Sequence, residues 1–143
     1  MIIPDVNLLL YAVNQEAFRH NEARQWLQEV VSGDEPIGLS WNVILAFLRL
    51  TTRPGVFRSP LAVETAFEIV GEWLSQPVMQ VVHPGPRHFS ILRALLAPIG
   101  MAGNLTSDAH LAALAIEQNA LLCSSDNDFA RFSGLNWKNP LAR

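Results

Sequence analysis

The sequence predicts an α/β fold built on a central, mostly parallel sheet of four to five strands. Two observations carry this. Short apolar runs (Ile2-Ile3, Ile37–Ser40, Val78–Val82, Leu121–Cys123) alternate with longer segments of helical period, the order of a parallel sheet joined by right-handed crossovers. Asp5, Asp108 and Asp126 each fall just after a strand or at a helix start, and such sheets carry their chemistry on the carboxyl edge of the strands.

Taken in order, Ile2 and Ile3 form a strand that ends at Pro4. Asp5 and the apolar pattern Leu8, Leu9, Leu10, Ala12, Val13 follow as a buried helix. Phe18–Val31 reads as a second helix, with Ala23, Trp26, Leu27 and Val30 on its apolar face. Residues 32–36 are a turn and Ile37–Ser40 a buried strand; Trp41–Thr52 is helical and stops at Pro54-Gly55. Ser59-Pro60 opens a helix to about Leu74, with Pro near its first turn. After the Val78–Val82 strand come a rigid loop (His83-Pro84-Gly85-Pro86), a helix over Arg87–Ala97 and a glycine-containing loop to Leu105. Thr106 or Ser107 caps the next helix, which runs from Ala109 to Gln118. Its alanine and leucine content predicts close packing on both sides, hence a central position. Leu121–Cys123 is the fourth strand and Leu135-Asn136-Trp137 a short fifth.

The 143 residues are expected to form one domain, 1–143, of which half are apolar. No apolar run reaches the roughly 20 residues that span a bilayer, and the N-terminus shows no signal peptide. The single cysteine, Cys123, excludes an internal disulfide and points to a reducing, cytoplasmic setting. Net charge is −3, which argues against a nucleic-acid partner until the distribution is considered. Nine of the ten basic residues are arginine, the side chain suited to bidentate phosphate contact. The aspartates at strand ends and helix starts imply an acidic site among arginines.

Asp5, Asp108, Asp126 and Asp128 are the candidate catalytic and metal-binding residues. Carboxylates that converge in a dry cleft need a cation, and an all-oxygen set suits Mg²⁺ or Mn²⁺. Such an ion polarises a phosphoryl group and generates hydroxide near neutral pH, which fits phosphodiester hydrolysis. The alternative for each acid is a helix cap or a first-turn charge. No Cys/His spacing makes a zinc site, Gly100 and Gly103 lack a phosphate-loop context, and Ser124 and Ser125 lack a nucleophile elbow. His83 and His88 are expected at the surface or as caps; the four Trp lie mostly at core spacing, and Trp41 and Trp137 fit the core or a dimer or antitoxin surface equally.

Three stretches together resemble the PIN-domain family, and within it the VapC-type toxins: Asp5-Val6-Asn7, the helix Thr106–Ala115, and Ser125-Asp126-Asn127-Asp128-Phe129. Trp41–Pro54, Pro60-Leu61 and Asn139-Pro140-Leu141 resemble a sub-branch of the same toxins. The resemblance implies a three-layer α/β/α sandwich and a Mg²⁺- or Mn²⁺-dependent endoribonuclease acting on cellular RNA. It also implies a homodimer held inactive by a VapB-type antitoxin. Carried over by residue, Asp5 and Asp108 bind metal, Asp126 completes the site, Asp128 supports it, and Asn7 and Ser125 orient the ligands.

One departure stands out. The family's glutamate in the helix after strand two falls at Ile44 or Ala46, and no acid occurs between Pro36 and Val63. Asn42 is the nearby polar side chain able to face the site. The missing carboxylate motivates a second reading, a catalytically weak or inactive module that binds RNA or a protein. Arg49, Arg53 and Arg58, and a second group at Arg19, His20 and Arg24, are candidate RNA contacts.

Overall fold

Every strand of the sheet is hydrogen-bonded in parallel to its neighbour, in a computed structural model that describes residues 1–141; the last two residues of the expected 1–143 domain lie outside that range. The strands are β1 (Ile2–Pro4), β2 (Ile37–Ser40), β3 (Met79–Val82), β4 (Leu121–Cys123) and β5 (Trp137–Lys138), in the spatial order β3-β2-β1-β4-β5. β1 lies in the middle and is wholly buried, as its run of apolar residues requires.

The helices are α1 (Val6–Val13), α2 (His20–Val31), α3 (Trp41–Thr51), α4 (Val63–Leu74), α5 (His88–Leu96) and α6 (Thr106–Glu117). Right-handed crossovers send the chain out on one face for β1→β2→β3 and back on the other for β3→β4. The helix contacts follow that division: α1 packs on α2 and α3, and α3 on α4, while α5 packs on α6. The result is the three-layer α/β/α sandwich. Its core joins the buried strands to Leu8, Leu9, Phe47, Leu111 and Leu114, and Trp73 of α4 meets Phe47 edge-on at 4.9 Å.

Two strands pass into helices with no intervening loop. Asp5 caps α1, its Oδ1 accepting from the Val6 N–H at 2.8 Å. Ser40 caps α3, accepting from the Val43 N–H at 3.1 Å. Both caps therefore lie on the carboxyl edge of the sheet.

Several elements begin away from the positions their sequence patterns give. Phe18 is 96% exposed and precedes α2, because residues 14–19 form backbone turns instead of a helix. Pro60 lies outside α4: the chain stays extended to Ala62, and the Leu61 N–H donates to the Thr51 carbonyl. α6 starts at Thr106 on a 3-10 turn (Gly103–Leu105); Thr106 donates to the Gly103 carbonyl instead of capping. β5 pairs through Trp137 and Lys138, slightly later than Leu135–Trp137.

His88 is buried, contrary to its expected surface position, while His83 is exposed. Its Nε2 lies 2.9 Å from His110 Nδ1, so the pair forms a polar contact between α5 and α6. Burial, and then the neighbouring ring, lowers the His110 pKa. The Pro-rich loop before α5 is held by Glu117, whose carboxylate accepts from the Gly85 and Arg87 N–H groups. The Gly85 bond foremost lowers its pKa.

Gly38 lets β3 close on β2. A Cβ there would lie 2.7 Å from Val82 Cγ1 and 3.0 Å from Met1 Sδ, both within the packed sheet face. Gly38→Ala is expected to destabilise the fold by about 1–3 kcal/mol through overpacking. Urea unfolding measures this, and an unchanged midpoint would contradict it.

Candidate functional site

The register Pro4↔Cys123 puts the two residues that follow these strands, Asp5 and Ser124, side by side. The Asp5 N–H donates to the Cys123 carbonyl at 2.9 Å, which extends the ladder to the point where the chains diverge. Ser124, fully buried, donates its hydroxyl to Asp5 Oδ2 at 2.7 Å. Ser124 Oγ in turn accepts from Asn7 Nδ2 at 3.1 Å and from the Asp126 N–H at 3.0 Å. One hydroxyl thus ties the ends of β1 and β4 to the start of α1. The Trp137 indole N–H donates to the Ser124 carbonyl, adding β5 to the set.

A hydroxyl has one proton, and Ser124 gives it to Asp5, so Asn7 presents its amide hydrogens there. Asn7 Oδ1 is then left buried and unpartnered. A buried orphan oxygen beside a carboxylate cluster fits a water or ion that completes the site.

Asp126 caps the next turn, its Oδ1 accepting from the Asp128 N–H at 2.9 Å. Asp108 arrives on the first turn of α6. Asp108, Asp126 and Asp128 can each offer an oxygen such that all three lie within 4.8 Å of one another. Asp5 stands outside that group, with one oxygen bound by Ser124 and the other by the Val6 N–H. It lines the same cleft as Asp108, and its charge bears on Asp108 directly.

Burial pushes the Asp5 carboxyl up, against the Ser124 and Val6 bonds that favour its charge. Asp108 is raised to about 6, by burial first and then by Asp5, Asp126 and Asp128. Arg131 reaches Asp128 at 3.9 Å, yet Asp5 and Asp108 still resist ionisation, so the cluster has room for a further positive charge. Three or four carboxylate oxygens from the strand ends, the turn after β4 and the first turn of α6 suit a hard, octahedral cation with the remaining positions held by water.

The cleft has a volume of about 300 Å³ and is lined on one side by Asn42, Ala46 and Arg49 of α3. Of the two positions expected for the absent glutamate, Ala46 faces the cleft and Ile44 is in the core. Asn42 lies where expected. Ser125 follows the hydroxyl that orients Asp5 but is not part of that bonding set; Ser124 holds the role. Sequence reasoning passed over Ser124, although pairing β1 with β4 in register would have placed it beside Asp5.

The arginines divide. Arg49 lines the cleft, whereas Arg53 is exposed away from its lining and Arg58 pairs with Glu16 at 3.5 Å. Arg19 binds Glu22 and the Leu141 carbonyl, and His20 contacts the Tyr11 carbonyl, so these two are tied up within the fold, while Arg24 is exposed outside the cleft lining. Trp41 is 51% exposed on α3, at the surface and not in the core, and Trp137 is partly buried. Burial raises the Cys123 thiol to about 11, in keeping with a packing role.

A PIN-domain family model matches residues 2–135. Ribonuclease VapC37 of Mycobacterium tuberculosis is 44% identical over 142 residues, covering 99% of each chain. Ribonuclease VapC33 of the same species is 47% identical over 141 residues, again covering 99% of each. Among solved structures, VapBC2 from Rickettsia felis bound to a promoter DNA fragment superposes with a TM-score of 0.72 at 21% identity, covering 97% of this chain and 98% of that one. M. tuberculosis VapC20, described as a Sarcin-Ricin loop cleaving toxin, gives 0.70 at 19% identity, covering 95% and 99%.

Two measurements check this geometry. Ser124→Ala strips partners from Asp5, Asn7 and the Asp126 N–H, and is expected to cost about 2–4 kcal/mol in urea unfolding; a loss under about 0.5 kcal/mol would contradict the hub. The second concerns Asp108, raised from 3.8 to about 6. The folded state binds this proton more tightly than the unfolded chain. Its contribution to stability is therefore full below the unfolded value and is lost as pH rises through about 6. The gap is worth about 3 kcal/mol in full, and screening at a partly exposed carboxyl leaves about 1 kcal/mol. Metal-free Asp108→Asn should thus be more stable than the native protein by about that amount at pH 8, with the difference gone near pH 3.5. Equal stabilities at pH 8 would contradict the crowding.

Proposed function

The chain belongs to the PIN-domain family, and on that footing we propose that it is a VapC-type toxin, a metal-dependent endoribonuclease that hydrolyses RNA phosphodiester bonds. The observation that carries this reading is the convergence of Asp108, Asp126 and Asp128 within 4.8 Å, with Asp108 also lining a cleft beside Asp5. Full-length relatives that share 44% and 47% of their residues with this chain are named ribonucleases. That disfavours the alternative of an inactive binding module, despite the carboxylate-free α3.

Asp108, Asp126 and Asp128 would hold Mg²⁺ or Mn²⁺, with Asp5 beside them. A bound ion supplies Lewis-acid polarisation of the phosphoryl group and a hydroxide nucleophile from water. Ser124 and the Val6 N–H fix the Asp5 carboxylate in one orientation, so its charge is directed at the site without rotamer freedom. The Asp128 N–H does the same for Asp126. Val43, Leu45, Leu50 and Leu111 give the cleft apolar walls, which strengthens electrostatic interaction with a phosphodiester.

A VapB-type antitoxin belongs to the same reading, supported by fold relatives described as VapBC complexes, and a second copy of the chain is proposed with it. Exposed Trp41 and Leu45 on α3, with Val63 and Phe67 on α4, offer apolar surface near the cleft for one of these partners. RNA as substrate makes the cytoplasm the working compartment. Among the described residues no helix is long and apolar enough to cross a membrane.

Purified protein freed of antitoxin should cleave RNA with Mg²⁺ or Mn²⁺ and stop when EDTA is added. Asp108→Asn and Asp5→Asn should each lower the rate by about a hundredfold or more, since even supporting groups around such ions are worth 10–100-fold. Undiminished cleavage by both variants in a gel assay would overturn the assignment.

A further inference from the structure

α3 turns one stripe toward the cleft, and that stripe carries no carboxylate. Asn42, Ala46 and Arg49 are spaced i, i+4 and i+7, one face of a helix, and all three line the cleft with Asp5, Ser107 and Asp108. The aspartates occupy the sheet and α6 side. The cleft therefore has one anionic wall and a facing wall that is neutral near the sheet and cationic farther out. Asn42 and Arg49 are about 10.5 Å apart along the helix axis.

Arg49 is exposed and, among the described residues, has no ion-pair partner. Arg19, Arg58 and Arg131 pair with carboxylates, and the exposed Arg24 and Arg53 lie outside the cleft lining. A free guanidinium at the rim of an acidic cleft is poised for an anion that comes from outside. Its planar fork of donors matches a phosphodiester.

We propose that α3 is the phosphate-binding wall of the cleft, with Arg49 contacting a backbone phosphate oxygen of the RNA strand while the cation is confined to the aspartate wall. This rests on the nuclease reading above and adds to it the side from which the substrate is held. Ala46 acquires a role in this arrangement. A carboxylate at that position would stand one turn from Arg49 and pair with it, so the methyl group keeps the guanidinium free. Arg49 also offsets the repulsion between an incoming polyanion and the clustered aspartates.

RNA binding without cleavage tests this. In an Asp108→Asn background, affinity for several fluorescent single-stranded RNAs is measured across a salt series. Arg49→Gln, which preserves helix propensity, should weaken binding about five- to tenfold at low salt, equally for all sequences. The slope of log affinity against log salt should fall by about 0.7 for one lost contact to a single strand. Arg49→Lys should retain most of that slope, and Ala46→Glu should weaken binding as Arg49→Gln does. In the otherwise native enzyme, Arg49→Gln should raise KM and leave kcat within about threefold. An unchanged affinity and salt slope, or a fall in kcat at constant KM, would overturn the proposal. Full cleavage by Asp108→Asn is a different failure, which removes the nuclease reading and this inference with it.

Discussion

The hydrogen bond from the Ser124 hydroxyl to Asp5 is the contact on which the site depends. It spans the gap between β1 and β4, the two central strands, where the backbone ladder has just ended. Strand order reverses at this point: β2 and β3 build outward on one side of β1, and β4 and β5 on the other. The connections leave in opposite directions there and open a crevice, the usual ligand position in open α/β sheets. Ser124 lies buried beside that crevice and holds Asp5, Asn7 and the Asp126 backbone together there.

Gathering like charges in this way costs folding energy in the metal-free protein. Asp108 at about 6 and the upward shift of Asp5 are the local record of that cost. Rigid support from the sheet keeps the carboxylates from spreading apart. A divalent cation then offsets the repulsion, and the same geometry that strains the metal-free form raises affinity for the ion. With no carboxylate on the α3 side, the ion is bound from one wall and the opposite wall is left to the substrate.

The fold was largely legible in the sequence because its strands are short, apolar and bounded, and its helices carry clear periodic faces. α6, with buried residues on most sides, was marked by its alanines. Helix starts were less legible: Phe18 and Pro60 looked helical by local pattern, and turn hydrogen bonds decided otherwise. The aspartates could be found from their places after strands. Ser124 could not, because its role depends on the register between two strands over a hundred residues apart. Arg49 was visible only as one of several arginines; its separation from Arg53 and Arg58 required knowing which face of α3 meets the cleft. His88 looked like a loop residue because its partner, His110, lies on another helix.

The account is tested most directly by diffraction from a crystal soaked in Mn²⁺ and measured at the manganese absorption edge. It predicts an anomalous peak in the crevice within about 2.0–2.4 Å of oxygens from Asp108 and Asp126, with Arg49 remaining on the opposite wall, unligated. A peak bound elsewhere on the surface, or none in the crevice at millimolar Mn²⁺, would contradict the claim that these aspartates share a cation.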